Sequence, residues 1–152
     1  KNIHAYVFGE HGDTSFIPWS GAYVSGVSLD EYYDTVEKMG KNVTKIDKDA
    51  MLEYVRTSGG QVIANKGATF YAVSVAVCKL VATILSSSDS VATVSSMMHG
   101  EYGIEDVCLS TLTLVGPKGV QGKIPMRMTK EEVEKLKASA DALKAVIAQI
   151  EH

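Results

Sequence analysis

From Thr129 onward the apolar residues Val133, Leu136, Ala140, Leu143, Ile147 and Ile150 recur every three or four positions, the period of one face of an α-helix. Thr129-Lys130-Glu131-Glu132 before them forms a capping box, in which a hydroxyl and a carboxylate satisfy backbone N–H groups at the helix start. The pattern predicts a terminal amphipathic helix of about 20 residues, and one apolar face demands a core to lie on. A second capping box, Ser28-Leu29-Asp30-Glu31, predicts a helix running to about Met39 and stopped by Gly40. Asp47 caps a third, with Met51, Val55, Val62 and Ile63 as its apolar stripe and Gly59-Gly60 as a weak point where a bend or irregular hydrogen bonding is expected. Beyond Gly67, the segment from Ala68 to Leu85 is apolar on nearly all sides and predicts a buried helix.

Strand signals occupy the rest. Ile3 to Gly9 is aromatic and β-branched and ends at a glycine. Val91 to Met97, Val107 to Val115 and Val120 to Ile124 read as three strands, the last two joined by Gly116-Pro117-Lys118-Gly119, which makes an antiparallel meander. Long helices and short strands without regular βαβ alternation predict the α+β class, in one domain over residues 1–152.

Fifteen Lys and Arg against 18 Asp and Glu give a net charge of −3, which argues against a nucleic-acid or anionic-membrane binder. No run of 18 apolar residues and no leader-like N-terminus occur, so a cytoplasmic location is expected and no membrane partner. Cys78 and Cys108 stand in apolar surroundings and read as core thiols. No CxxC or Cys/His cluster suggests a metal. Asn42-Val43-Thr44 fits a glycosylation sequon by chance. The chain begins with Lys1 rather than methionine and holds only two arginines, Arg56 and Arg127, which suggests a piece of something larger.

The densest polar cluster is Gly9-Glu10-His11-Gly12-Asp13-Thr14, directly after the first strand. Flanking glycines permit a sharp turn that leaves the imidazole accessible, and neighbouring carboxylates can tune it. From residue types alone His11 is either a catalytic base or a satisfied polar residue. Ser20, His11 and Asp13 could be drawn as a hydrolase triad, but no Gly-x-Ser-x-Gly elbow is present.

Asn2 to Thr14 with Pro18-Trp19-Ser20, then Asn65-Lys66-Gly67-Ala68-Thr69, Val94-Ser95-Ser96, Gly100-Glu101-Tyr102-Gly103-Ile104, Val107-Cys108-Leu109-Ser110 and the final helix, closely resemble the NAD-dependent L-lactate dehydrogenases over essentially the whole chain. The Gly-Glu-His-Gly-Asp run resembles the lactate branch more than typical malate dehydrogenases. The resemblance implies the C-terminal, substrate-side domain of the lactate/malate dehydrogenase fold. His11 matches the family's proton acceptor and donor for lactate and pyruvate, and Thr69 matches the threonine beside the substrate's C2 substituent, although it could equally cap the helix it opens. Val73 matches an apolar position against the nicotinamide of NAD. His4 matches the histidine with which many bacterial members bind fructose 1,6-bisphosphate, and the family assembles as homotetramers. Asp13 is expected to shape the turn. His99 and His152 match no functional position and are expected at the surface.

Departures from the family concern geometry. Ser110-Thr111-Leu112 stands where Ser-x-Pro is usual, which puts strand pairing in question, and Gly59-Gly60 interrupts a helix often poorer in glycine. The family's Gly-x-Gly-x-x-Gly fingerprint is not in these 152 residues, because Gly116, Gly119 and Gly122 lie in a strand–turn–strand context. Neither arginine lies in a segment matching the carboxylate-binding positions. The expectation is therefore a domain incomplete at its N-terminus, with the Rossmann NAD-binding domain outside this chain, and nearly inert alone. Two alternatives stand beside it: a dehydrogenase of malate or another 2-hydroxy acid, and a cofactor-free oligomerisation or effector-binding module.

Overall fold

The computed structural model describes residues 2–150. Its elements run β1 (Ile3–His4), β2 (Tyr23–Val24), β3 (Val27–Ser28), α1 (Leu29–Lys38), α2 (Lys48–Lys66), α3 (Tyr71–Leu85), β4 (Ser90–His99), β5 (Glu105–Gly116), β6 (Gly119–Lys123) and α4 (Lys130–Ile147). Two antiparallel three-stranded sheets result, β1-β2-β3 and β4-β5-β6. The α+β expectation and the meander are met.

Both capping boxes form. Ser28 Oγ accepts from Glu31 N and Thr129 Oγ1 from Glu132 N, while each glutamate reaches back to its cap residue. Asp47 Oδ1 accepts from the N–H groups of Asp49 and Ala50 at the start of α2. The irregular hydrogen bonding expected at Gly59-Gly60 is not found: α2 runs unbroken from Lys48 to Lys66 across both glycines. Pairing is likewise continuous through Ser110-Thr111-Leu112, with Thr93 opposite Leu112 and Ile124 N donating to Leu112 O at 2.9 Å.

The strand read over Ile3 to Gly9 is broken, because its two ends serve different sheets. Ile3 and His4 pair with β2. Phe8 instead exchanges hydrogen bonds with Phe16, and Gly9 with Ser110 of β5. Residues 8–16 are thus a finger extending from the small sheet onto the large one.

The main core lies where this finger, β5 and α4 meet. Phe8, Phe16, Met98, Val107, Leu109 and Leu136 are each at most 2% exposed, and the Phe8 and Phe16 rings meet edge to face at 6.4 Å, a favoured aromatic geometry. Leu136 and Ala140 of the terminal helix are buried as its period predicts. Ile147 and Ile150 lie beyond the core and are exposed.

Two expectations of burial fail. The helix predicted to be buried, α3, has no buried residue, and Val73, Val75 and Val77 are each more than half exposed. Its all-round apolar sequence asks for a cover that the described residues do not supply. The thiols of Cys78 and Cys108 are also exposed. Cys78 rides on α3, and Cys108 sits between the buried Val107 and Leu109 on a strand, where period two turns it outward.

Candidate active site

Phe8 N donates to Phe16 O at 2.9 Å and Phe16 N to Phe8 O at 3.0 Å, closing the base of the finger. Gly9 N and O exchange hydrogen bonds with Ser110 O and N at 3.1 and 2.9 Å, pinning it to β5. Gly9 holds φ +98°, a conformation open to glycine. Within the turn, Ser15 N donates to Gly12 O, and Glu10 Oε1 accepts from Thr14 N at 3.1 Å and Thr14 Oγ1 at 2.5 Å. The carboxylate that shapes the turn is therefore that of Glu10, where Asp13 was expected. Glu10 is placed to close the five-residue turn from Glu10 to Thr14, while Asp13 is exposed at the tip.

His11 is exposed at this tip. It borders a cavity of about 670 Å³ whose lining also includes Arg56, Ser58 and Gly59 from α2 and Thr93 and Ser95 from β4. A volume of this order suits a small metabolite with room to spare. An accessible imidazole there can accept or release a proton at a bound molecule.

Arg56 is the residue that motif reasoning passed over. Its Nε donates to Ser15 O at 3.0 Å, and Nη2 donates to the same carbonyl, so α2 holds the finger just after the histidine. The only sequence signal was the rarity of arginine.

Thr69 and Val73 do not line this cavity among the described residues. Helix α2 ends at Gly67, with φ +80° and its N–H donating to Ile63 O at 2.7 Å, and Lys66 Nζ stands over the Tyr71 ring at 4.4 Å. Thr69 is exposed in the connection that follows and does not cap α3. The cap residue is Phe70, because the helix starts two residues later than the threonine. Val73 projects from the first turn of α3, 53% exposed. His4 is exposed on β1 and borders a separate cavity of about 330 Å³ with Tyr23 and Met126. Tyr6 lines both cavities. His99 is exposed as expected, and His152 lies outside the described residues.

Away from the cavity, burial pushes the Lys123 ammonium below its usual range, and its Nζ donates to Ser96 O and Oγ at 3.1 and 2.6 Å. Burial raises Tyr102, whose hydroxyl donates to Met126 O and accepts from Met126 N. No group of three or more His, Cys, Asp or Glu side chains is arranged for a metal among the described residues. No helix of the described residues is long and apolar enough to cross a membrane.

Residues 1–152 match the sequence family described as lactate/malate dehydrogenase, alpha/beta C-terminal domain. The L-lactate dehydrogenase of Acetivibrio thermocellus is 38% identical over 151 residues, which are 99% of this chain and 47% of that protein. Among solved structures, an L-lactate dehydrogenase from Clostridium thermocellum superposes with a TM-score of 0.84 at 35% identity, covering 99% of this chain and 47% of the other. Malate dehydrogenase from Archaeoglobus fulgidus, solved in complex with NADH, gives a TM-score of 0.82 at 27% identity, covering 100% and 46%. The chain spans about half the length of the relatives it matches.

Proposed function

Because the chain belongs to the lactate/malate dehydrogenase family as its C-terminal α/β domain, we propose that it is the substrate-side half of an NAD-dependent L-lactate dehydrogenase with His11 as proton acceptor and donor. The observation that carries this reading is the exposed His11 in the lining of a cavity it shares with residues of α2 and β4. Oxidising (S)-lactate to pyruvate removes a hydride from C2 and a proton from the hydroxyl. A histidine, as a residue type that titrates near neutrality, takes that proton and returns it in the reverse direction.

Val73, 53% exposed on the first turn of α3, is the nicotinamide contact that the family resemblance implies, and it stands outside the lining of the His11 cavity. A bound NAD would supply the hydride acceptor. The role of Thr69 beside the substituent on C2 rests on the resemblance alone, since it does not line the His11 cavity, and a Rossmann domain outside this chain holds the dinucleotide phosphates. Cation partners for the substrate carboxylate likewise come from outside, since neither Arg56 nor Arg127 lies in a segment that resembles the family's carboxylate-binding positions. The parent protein is a cytoplasmic homotetramer, regulated by fructose 1,6-bisphosphate at His4.

The second reading, a malate dehydrogenase, is favoured by the likeness to the Archaeoglobus fulgidus enzyme. NADH oxidation by the full-length protein that carries this chain, with pyruvate and with oxaloacetate, separates the two. Pyruvate is expected to be preferred by at least about tenfold in kcat/KM, with the isolated chain near background because it lacks the proximity term. Preference for oxaloacetate transfers the assignment to malate, and full turnover by the isolated chain overturns the half-enzyme reading.

A further inference from the structure

Ser139 stands on the core-facing side of α4, between Leu136 and Ala140, and is 0% exposed. A buried hydroxyl costs free energy unless it finds partners, and an alanine would fill that place without the cost. The partners it has all lie on the finger. Glu10 N donates to Ser139 Oγ at 2.8 Å, and Thr14 Oγ1 lies 2.9 Å from the same atom. Gly9 packs so closely that a Cβ there would stand 2.7 Å from Ser139 Oγ.

These contacts bracket His11. Among the described residues no hydrogen bond holds the imidazole itself, so its place is set by the backbone on either side. One residue before it the Glu10 amide is tied to Ser139, and three residues after it the Thr14 hydroxyl closes on both Ser139 and the Glu10 carboxylate. Arg56 holds Ser15 O from the opposite flank.

We infer that Ser139 is a positioning residue for the proton transfer: its buried hydroxyl fixes the turn that carries His11, across a separation of 129 residues from Glu10. The inference rests on the reading of His11 as the proton-transfer residue. Ser139 touches neither substrate nor cofactor and acts through the geometry of the turn, where a misplacement of about 1 Å can cost about a hundredfold in rate.

The test is made on the full-length protein, by steady-state kinetics with pyruvate and NADH and by amide hydrogen exchange. Ser139→Ala is expected to lower kcat at least about tenfold while KM for pyruvate stays within about twofold, and to speed exchange of the Glu10 amide at least about tenfold. Thr14→Val, which breaks the same network from the finger and leaves α4 intact, is expected to show the same split. Ala140→Gly, which loosens α4 but keeps the hydroxyl, is expected to lower the melting temperature without changing kcat. Unchanged kcat in Ser139→Ala, an equal loss in Ala140→Gly, or unchanged Glu10 exchange overturns the inference. His11→Gln in the same series separates the two ideas: full activity in that variant defeats the proton-transfer reading, whereas Glu10 exchange reports the clamp whatever the chemistry.

Discussion

Glu132 and Ser20, 112 residues apart, are joined by two hydrogen bonds: Ser20 N donates to Oε1 at 3.0 Å and Ser20 Oγ to Oε2 at 2.5 Å. The same carboxylate accepts from Thr129 N at 2.8 Å to complete the cap of α4. Burial works to raise this carboxyl, but the hydrogen bonds from Ser20 and Thr129 outweigh it and hold it below its ordinary value of 4.5. The unfolded chain therefore takes up the proton first as pH falls. The stabilisation is complete above the unfolded value and is lost as pH drops through the folded one. Glu132→Gln is expected to cost about 1–3 kcal/mol near neutral pH, with the gap to wild type closing in acid. Urea denaturation of both proteins across the acid range measures it, and a pH-independent gap would contradict the assignment.

Removing the imidazole should hurt chemistry and spare the fold. His11→Gln is expected to lower kcat of the full-length protein by about 100- to 10,000-fold. Because His11 is exposed, its stability should stay within about 0.5 kcal/mol of wild type. Circular-dichroism melting beside the kinetics checks both halves of the prediction.

Gly60 sits inside α2, where an added Cβ would meet nothing within 4 Å. Gly60→Ala should stabilise this chain by about 1 kcal/mol by relieving the entropy cost of glycine in a helix. A melting temperature raised by roughly 2–4 °C is the corresponding signal. No rise would mean that the site is less open than its geometry indicates.

Gly9 is the opposite case. Its φ of +98° and the 2.7 Å approach of Ser139 Oγ leave no room for a side chain. Gly9→Ala is expected to destabilise by about 1–3 kcal/mol through backbone strain and displacement of the finger. Chemical denaturation of the variant gives the number, and a neutral result would count against the close packing of α4 on the turn.

His4 borders a different cavity from His11, and the proposed effector role of His4 is tested by the state of assembly. Sedimentation of the full-length protein is expected to show greater association with fructose 1,6-bisphosphate, and His4→Ala is expected to abolish the increase. An identical response in the variant rules His4 out as the effector contact.

Local features were legible in the sequence because they are settled within a few residues. Ser28-x-x-Glu31 and Thr129-x-x-Glu132 each carry both halves of a cap, and Leu136 and Ala140 follow the helical period into the core. Burial on α3 was not legible: hydrophobicity states a preference, and the covering surface must come from elsewhere. Cys108 shows the same limit on a smaller scale, since strand alternation overrode its apolar neighbours. At the candidate site, the motif around His11 was plain, but its supports were not. Ser139 and Arg56 act from helices distant in sequence, and no spacing rule links them to residues 9–15.

The finger that leaves the small sheet, touches Ser110 and returns has a consequence for how the protein is made. Glu10 is synthesised 129 residues before its amide partner, Ser139. At a translation rate of about 5–20 residues per second, roughly ten seconds pass before that contact can form. The turn bearing His11 is thus made before the helix that locks it, so a nascent chain acquires its full complement of contacts at this site only once α4 has been synthesised through Ser139.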